Sequence, residues 1–213
     1  EFAKSVSPKP VKPVLTGPYT LAKLSIDRRG VGLKKLVEEF AEIVCEEIRD
    51  LAIAGAEIVQ VEEPAILRSS EDVKLLNDAL EILSGEKRHS RLFLATYFGD
   101  VTPIYRKLLK LPVDGLIFDF TYSPTLPNHI GRLGCDKDLG LGIVDGRNTR
   151  LEKVEEVIPI LRKILFNVGS ERVYLMPSCG LGDYLPRKTA KEKLARVAEI
   201  TRAARRLLSG EGT

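Results

Sequence analysis

Residues able to do chemistry recur just past short apolar runs. Glu62 and Glu63 close Ile58-Val59-Gln60-Val61 and are followed by Pro64, while Thr96 and Tyr97 end Leu92-Phe93-Leu94-Ala95. Asp119 ends Gly115-Leu116-Ile117-Phe118, Asp145 with Arg147 and Asn148 follows the run from Leu139 to Val144, and Cys179 follows Val173-Tyr174-Leu175-Met176. Thr20 stands a few residues beyond Val14-Leu15-Thr16. Carboxylates on three strands beside a thiol can ligate a metal or receive a substrate amine. Taken singly, each is equally a capping or loop residue. Asp145 and Arg147 either hold a carboxylate or a pterin-like ring, or pair with each other.

The elements that must position these groups alternate in type. Short Val-, Ile- and Leu-rich runs read as buried strands, and Pro64 cannot continue the one ending at Glu62. Between the strands, Leu33, Leu36, Val37, Phe40, Val44, Ile48 and Leu51 recur at helical spacing, with Gly55 placed to stop the helix. A second helix is expected from about Ser70 to Leu83, capped by Ser69 or Ser70. Thr102-Pro103 opens a third, a proline-interrupted helix lies within 123–133, and two more run from Leu151 to Phe166 and from Thr189 to Leu208. Residues 1–13 carry three prolines and no periodic pattern, so they read as a lead-in, with structure beginning at Val14 and one domain over 14–213.

Six strand-then-helix units in succession predict an α/β fold with parallel strands. Polar residues after nearly every strand favour a (β/α)₈ barrel of TIM type over an open doubly wound sheet, with two units short of eight. No glycine-rich dinucleotide or phosphate loop is present. The 33 basic and 30 acidic residues are intermixed, leaving a net charge of +3 and no nucleic-acid footprint. Cys45, Cys135 and Cys179 are too scattered for a disulfide framework, and no long apolar span appears, so a cytoplasmic protein off the membrane is expected.

Five words in order then carry a resemblance: Leu15-Thr16-Gly17-Pro18-Tyr19-Thr20, Gln60-Val61-Glu62-Glu63-Pro64-Ala65, Leu94-Ala95-Thr96-Tyr97-Phe98-Gly99, Gly142-Ile143-Val144-Asp145-Gly146-Arg147-Asn148 and Pro177-Ser178-Cys179-Gly180-Leu181. Together they resemble the cobalamin-independent methionine synthase family, and the third and fourth words resemble its amino-terminal barrel. The resemblance implies methionine biosynthesis by methyl transfer to homocysteine, from methyltetrahydrofolate or a methyl-corrinoid, with zinc activating the thiol. Of the four zinc-ligand positions it implies, Cys179 and Asp119 carry donors, whereas Thr96 and Phe98 stand where a His and a Cys are needed. It further implies an amine-binding role for Glu62, within a substrate set of Glu62, Glu63, Thr20, Tyr97, Asp145, Arg147 and Asn148, and a zinc-bearing catalytic partner in trans. The alternatives are an autonomous methyltransferase, with zinc on Cys179 and Asp119, and a non-catalytic amino-acid or folate-binding module.

Overall fold

The computed structural model describes residues 1–169, 172–182 and 184–209. Its strands are β1 (Val14–Thr16), β2 (Ile58–Glu62), β3 (Arg91–Thr96), β4 (Gly115–Asp119), β5 (Asp138–Val144) and β6 (Val173–Pro177). The helices are α1 (Phe2–Val6), α2 (Pro18–Leu24), α3 (Leu33–Ile53), α4 (Val73–Glu86), α5 (Tyr105–Leu108), α6 (Leu126–Leu133), α7 (Val154–Leu165) and α8 (Arg187–Ser209). The strands follow one another across a six-stranded sheet in the order β1-β2-β3-β4-β5-β6. A doubly wound sheet reverses its order at a switch point; this order never reverses, and it is the order of a barrel.

By internal contacts the chain divides into two compact units. The first comprises Glu1–Thr96 and Arg106–Leu116, the second Tyr97–Tyr105 and the chain from Ile117 onward. In the first, β1, β2 and β3 pair in parallel, with Thr16 beside Glu62 and Glu62 beside Ala95. Strand alternation sends Val59, Val61, Leu92 and Leu94, all fully buried, to one face, and Gln60, Glu62 and Phe93 to the other. Gly115 must be small, because a Cβ there would lie 2.7 Å from the Phe93 ring. In the second unit β5 pairs with β6 in parallel. A Cβ on Gly142 would sit 2.8 Å from both Phe118 O and Ser178 Cα, so this glycine is what lets the backbones close up.

Several local expectations are corrected. Structure begins before Val14: α1 forms at Phe2–Val6, and Lys4 donates to Ala54 O at 2.8 Å, tying the lead-in to the end of α3. The stretch after β1 is α2, started by Pro18, whose missing N–H costs nothing at a helix's first turn. A 3₁₀ turn, Ser70–Asp72, precedes α4, which lacks the expected serine cap because its N-cap is Asp72, whose carboxylate accepts the Tyr19 hydroxyl at 2.7 Å. Gly55 ends α3 as expected, at φ +79°. Among the described residues, no helix is long and apolar enough to cross a membrane.

Candidate functional site

In the first unit, Glu63 follows β2 directly and is fully buried. Its Oε1 accepts Tyr19 N at 3.0 Å and its Oε2 accepts Thr20 N at 2.6 Å, so the carboxylate closes the first turn of α2. Gly17 leaves the room, since a Cβ there would fall 2.2 Å from Glu63 Cδ. Burial pushes the Glu63 carboxyl up to about 7 against the donors from Thr20 and Tyr19. Thr20 is also buried, and its hydroxyl accepts Ala65 N at 3.3 Å. Thr20 and Glu63, expected from sequence among the substrate contacts, are 2% and 0% exposed, and Glu63 braces the first turn of α2. Glu62 is the half-exposed member of the acidic pair; it accepts Gln60 Nε2 at 2.8 Å, and Gln60 in turn takes a hydrogen bond from Lys12. Burial lowers the Lys12 pKa, and the charge of Glu62 opposes the shift.

In the second unit the ends of β4 and β5 converge on Arg147. Its Nη1 donates to Asp119 Oδ2 at 2.9 Å and its Nε to Asp145 Oδ1 at 3.0 Å, while Nη2 bonds the Thr121 hydroxyl. The guanidinium carbon lies 4.2 Å from the centroid of the Tyr122 ring and 5.6 Å from that of Phe98. Burial works against the Arg147 charge, but Asp119 and Asp145 outweigh it and hold the pKa above its ordinary value. Asp119 has a side chain only 1% exposed. Its Oδ1 accepts Thr121 N at 2.9 Å, the Thr121 hydroxyl at 2.5 Å and Tyr122 N at 3.3 Å; Phe98 N approaches its Oδ2 at 3.4 Å. Asp145 spends its second oxygen on Asn148 Nδ2 at 2.7 Å. Of the alternatives open for Asp145 and Arg147, the geometry realises the pairing.

Behind this network stands a residue the sequence reading passed over. Lys193 of α8 is fully buried and donates to Arg150 O at 2.5 Å, Glu152 Oε1 at 3.2 Å and Asn148 Oδ1 at 3.4 Å. Glu152 Oε1 also accepts Asp145 N at 2.8 Å, which ties the loop after β5 back to α8. The signal was present: Lys193, Val197, Ile200 and Ala204 follow the 4-3-4 spacing of a buried stripe, with a lysine where an apolar residue belongs.

Aromatic rings line the same strand ends. Phe98, held at φ +65°, meets Tyr97 edge-on at 4.7 Å and Tyr184 at 6.0 Å between centroids. The half-buried Cys179 thiol has its pKa raised by burial, partly opposed by Ser178 and Arg147; a Cβ on Gly146 would lie 2.8 Å from its sulfur.

A zinc ion does not fit these donors. Thr96 offers a buried neutral hydroxyl that has no hydrogen-bond partner among the described residues, and Phe98 offers no donor atom. Asp119, named with Cys179 as a metal ligand from sequence, already has both oxygens engaged. Among the described residues, no group of three or more His, Cys, Asp or Glu side chains is placed to hold a metal ion.

Comparison with known proteins gives one family: "Cobalamin-independent synthase, N-terminal domain" matches residues 2–168. A methionine synthase of Saccharolobus islandicus is 37% identical over 99% of this chain and 64% of its own length, and that of Sulfolobus acidocaldarius is 32% identical over 99% and 62%. The chain thus spans less than two thirds of these relatives. Among solved structures, a B12-independent methionine synthase from Shewanella sp. W3-18-1, in complex with selenomethionine, superposes with a TM-score of 0.87 at 24% identity, over 98% of this chain and 66% of that one. A methyltransferase from Methanosarcina mazei follows at TM-score 0.67 and 18% identity, over 93% and 61%. These likenesses establish the barrel-type fold.

Proposed function

The chain belongs to the cobalamin-independent methionine synthase family, in its N-terminal-domain group, and from that premise we propose that it serves methionine formation together with a separate zinc-bearing catalytic domain. The observation that carries this reading is the engagement of Asp119 by Arg147 at 2.9 Å, with Thr96 and Phe98 standing in sequence where the family resemblance calls for a His and a Cys. Methyl transfer to homocysteine needs a thiolate as nucleophile, and a free thiol is largely protonated at neutral pH. Among the described residues, no group of three or more His, Cys, Asp or Glu side chains is placed to hold that zinc. What they offer is a rigid strand-end face, with aromatic rings at Tyr97, Phe98 and Tyr122. Glu62, at the accessible end of β2, has the charge that suits the amino group of homocysteine.

The methyl donor in this reading is methyltetrahydrofolate or a methyl-corrinoid. The purified chain is incubated with homocysteine and each methyl-labelled donor in turn, with and without a zinc-loaded methionine synthase catalytic domain. The expected result is no methionine from the chain alone, and more methionine from the mixture than from the catalytic domain by itself. Labelled methionine formed by the chain alone would overturn the reading in favour of an autonomous methyltransferase.

A further inference from the structure

We propose that the cavity between α6 and α7, in the second unit, is a binding site for a small organic acid with a flat apolar body, its acid group held by Lys163. The cavity has a volume of about 340 Å³, within the roughly 300–1,000 Å³ of small-molecule pockets. Phe120, just past β4, and Ile143 of β5 form an apolar floor, and both are buried. The two helices touch at Gly131, where a Cβ would lie 3.9 Å from Lys163 O. Nearer their amino ends the lining side chains include Pro127 of α6 and Pro159 of α7. A proline ring is short and fixed, so it cannot reach across the gap as a leucine would, and the cavity stays open. Walls already held in place spare an occupant much of the ordering cost of binding. The Phe120 ring presents a flat face, which suits an aromatic body.

Charge decides what that body carries. Lys163 is the one charged residue among those lining the cavity, and no carboxylate among the described residues pairs with it. The Thr121 hydroxyl, also at the cavity, is spent on Asp119 at 2.5 Å, which leaves the Asn128 amide as the other polar side chain. An unpaired ammonium beside an apolar cavity attracts an anion and repels an amine. The preference is the opposite of that at Glu62 in the first unit, so this site is distinct from the amine contact of the proposed function.

The test uses the chain alone and no methyl-transfer assay, so it can fail while the proposed function stands, or the reverse. Two dyes are titrated by fluorescence: anilinonaphthalene sulfonate, an aromatic anion, and phenylnaphthylamine, which has the same body without the charge. The natural chain, Lys163→Gln and Ile160→Trp are compared, with circular dichroism to confirm folding. The natural chain should bind one sulfonate dye per molecule. Lys163→Gln should weaken that binding about fivefold, the upper end for an exposed ion pair, and leave the neutral dye unaffected. Ile160, which lines the cavity and is 38% exposed, tolerates a larger side chain, and Ile160→Trp should fill the space and exclude both dyes. If that variant fails to fold, Asn128→Trp on the facing helix takes its place. Absence of one-to-one sulfonate binding by the natural chain would overturn the proposal. So would an undiminished sulfonate affinity in Lys163→Gln, an equal loss of both dyes there, or binding that survives in the folded tryptophan variant.

Discussion

Glu63 shows how burial can reverse the role a residue suggests in sequence. An acidic pair before a proline looks like a ligand pair, yet only Glu62 of the two keeps exposed surface. The other half is sealed under α2, with both oxygens on backbone N–H groups. Sequence offered no way to separate them, because the burial of Glu63 depends on a seven-residue helix folding back over it. The consequence is a pH dependence of definite sign. The carboxyl titrates near 7 in the folded chain against an ordinary 4.5, so between these values the native state binds a proton that the unfolded chain releases. Stability from this group is complete below about pH 4.5 and is lost as pH rises to about 7, by roughly 3 kcal/mol in all. Urea midpoints of the natural chain and Glu63→Gln across that range would test it. The natural chain should lose stability more steeply than the variant, and parallel curves would refute the account.

At the scale of elements, the strands were legible and their supports less so. Val- and Ile-rich runs between turns announced all six strands, because a buried parallel strand needs continuous apolar sequence. The helix α2 was hidden by its brevity and by Pro18, which reads as a turn unless the preceding strand is known to be three residues long. The cluster at Asp119, Asp145 and Arg147 was readable as a set of strand-end residues, but its anchor was not, since Lys193 lies 46 positions beyond Arg147 in another element. That anchor has a measurable weight. Lys193→Met should cost about 3–5 kcal/mol, because it leaves Glu152, with a side chain 13% exposed, unpaired against the loop it holds. Adding Glu152→Gln should return part of that loss. A loss under about 1 kcal/mol in denaturant titrations would mean that α8 holds the loop by packing alone.

For the molecule as a whole, six strands in unbroken order place this chain within a barrel-type architecture, and its curated relatives extend well beyond the part it matches. The (β/α) succession was legible because each unit repeats the same hydrophobic period; the division into two compact units left no compositional mark. If the chain works with a zinc-bearing catalytic domain, that partner binds the folded form and must stabilise it by mass action. At a partner concentration about a hundred times the dissociation constant, the gain is roughly 2.7 kcal/mol. Differential scanning fluorimetry of the chain with increasing catalytic domain should show its midpoint climbing without a plateau at low excess. A midpoint indifferent to the partner would separate the two proteins.

The Arg147–Asp119 pair also constrains descent. Replacing Arg147 alone leaves Asp119, whose side chain is 1% exposed, without its cation, so that single step passes through a weakened protein. A change at Arg147 is therefore carried only with a paired change at Asp119, or by a protein already stable enough to bear the defect. The two residues form one heritable character, and their history should read as a joint event.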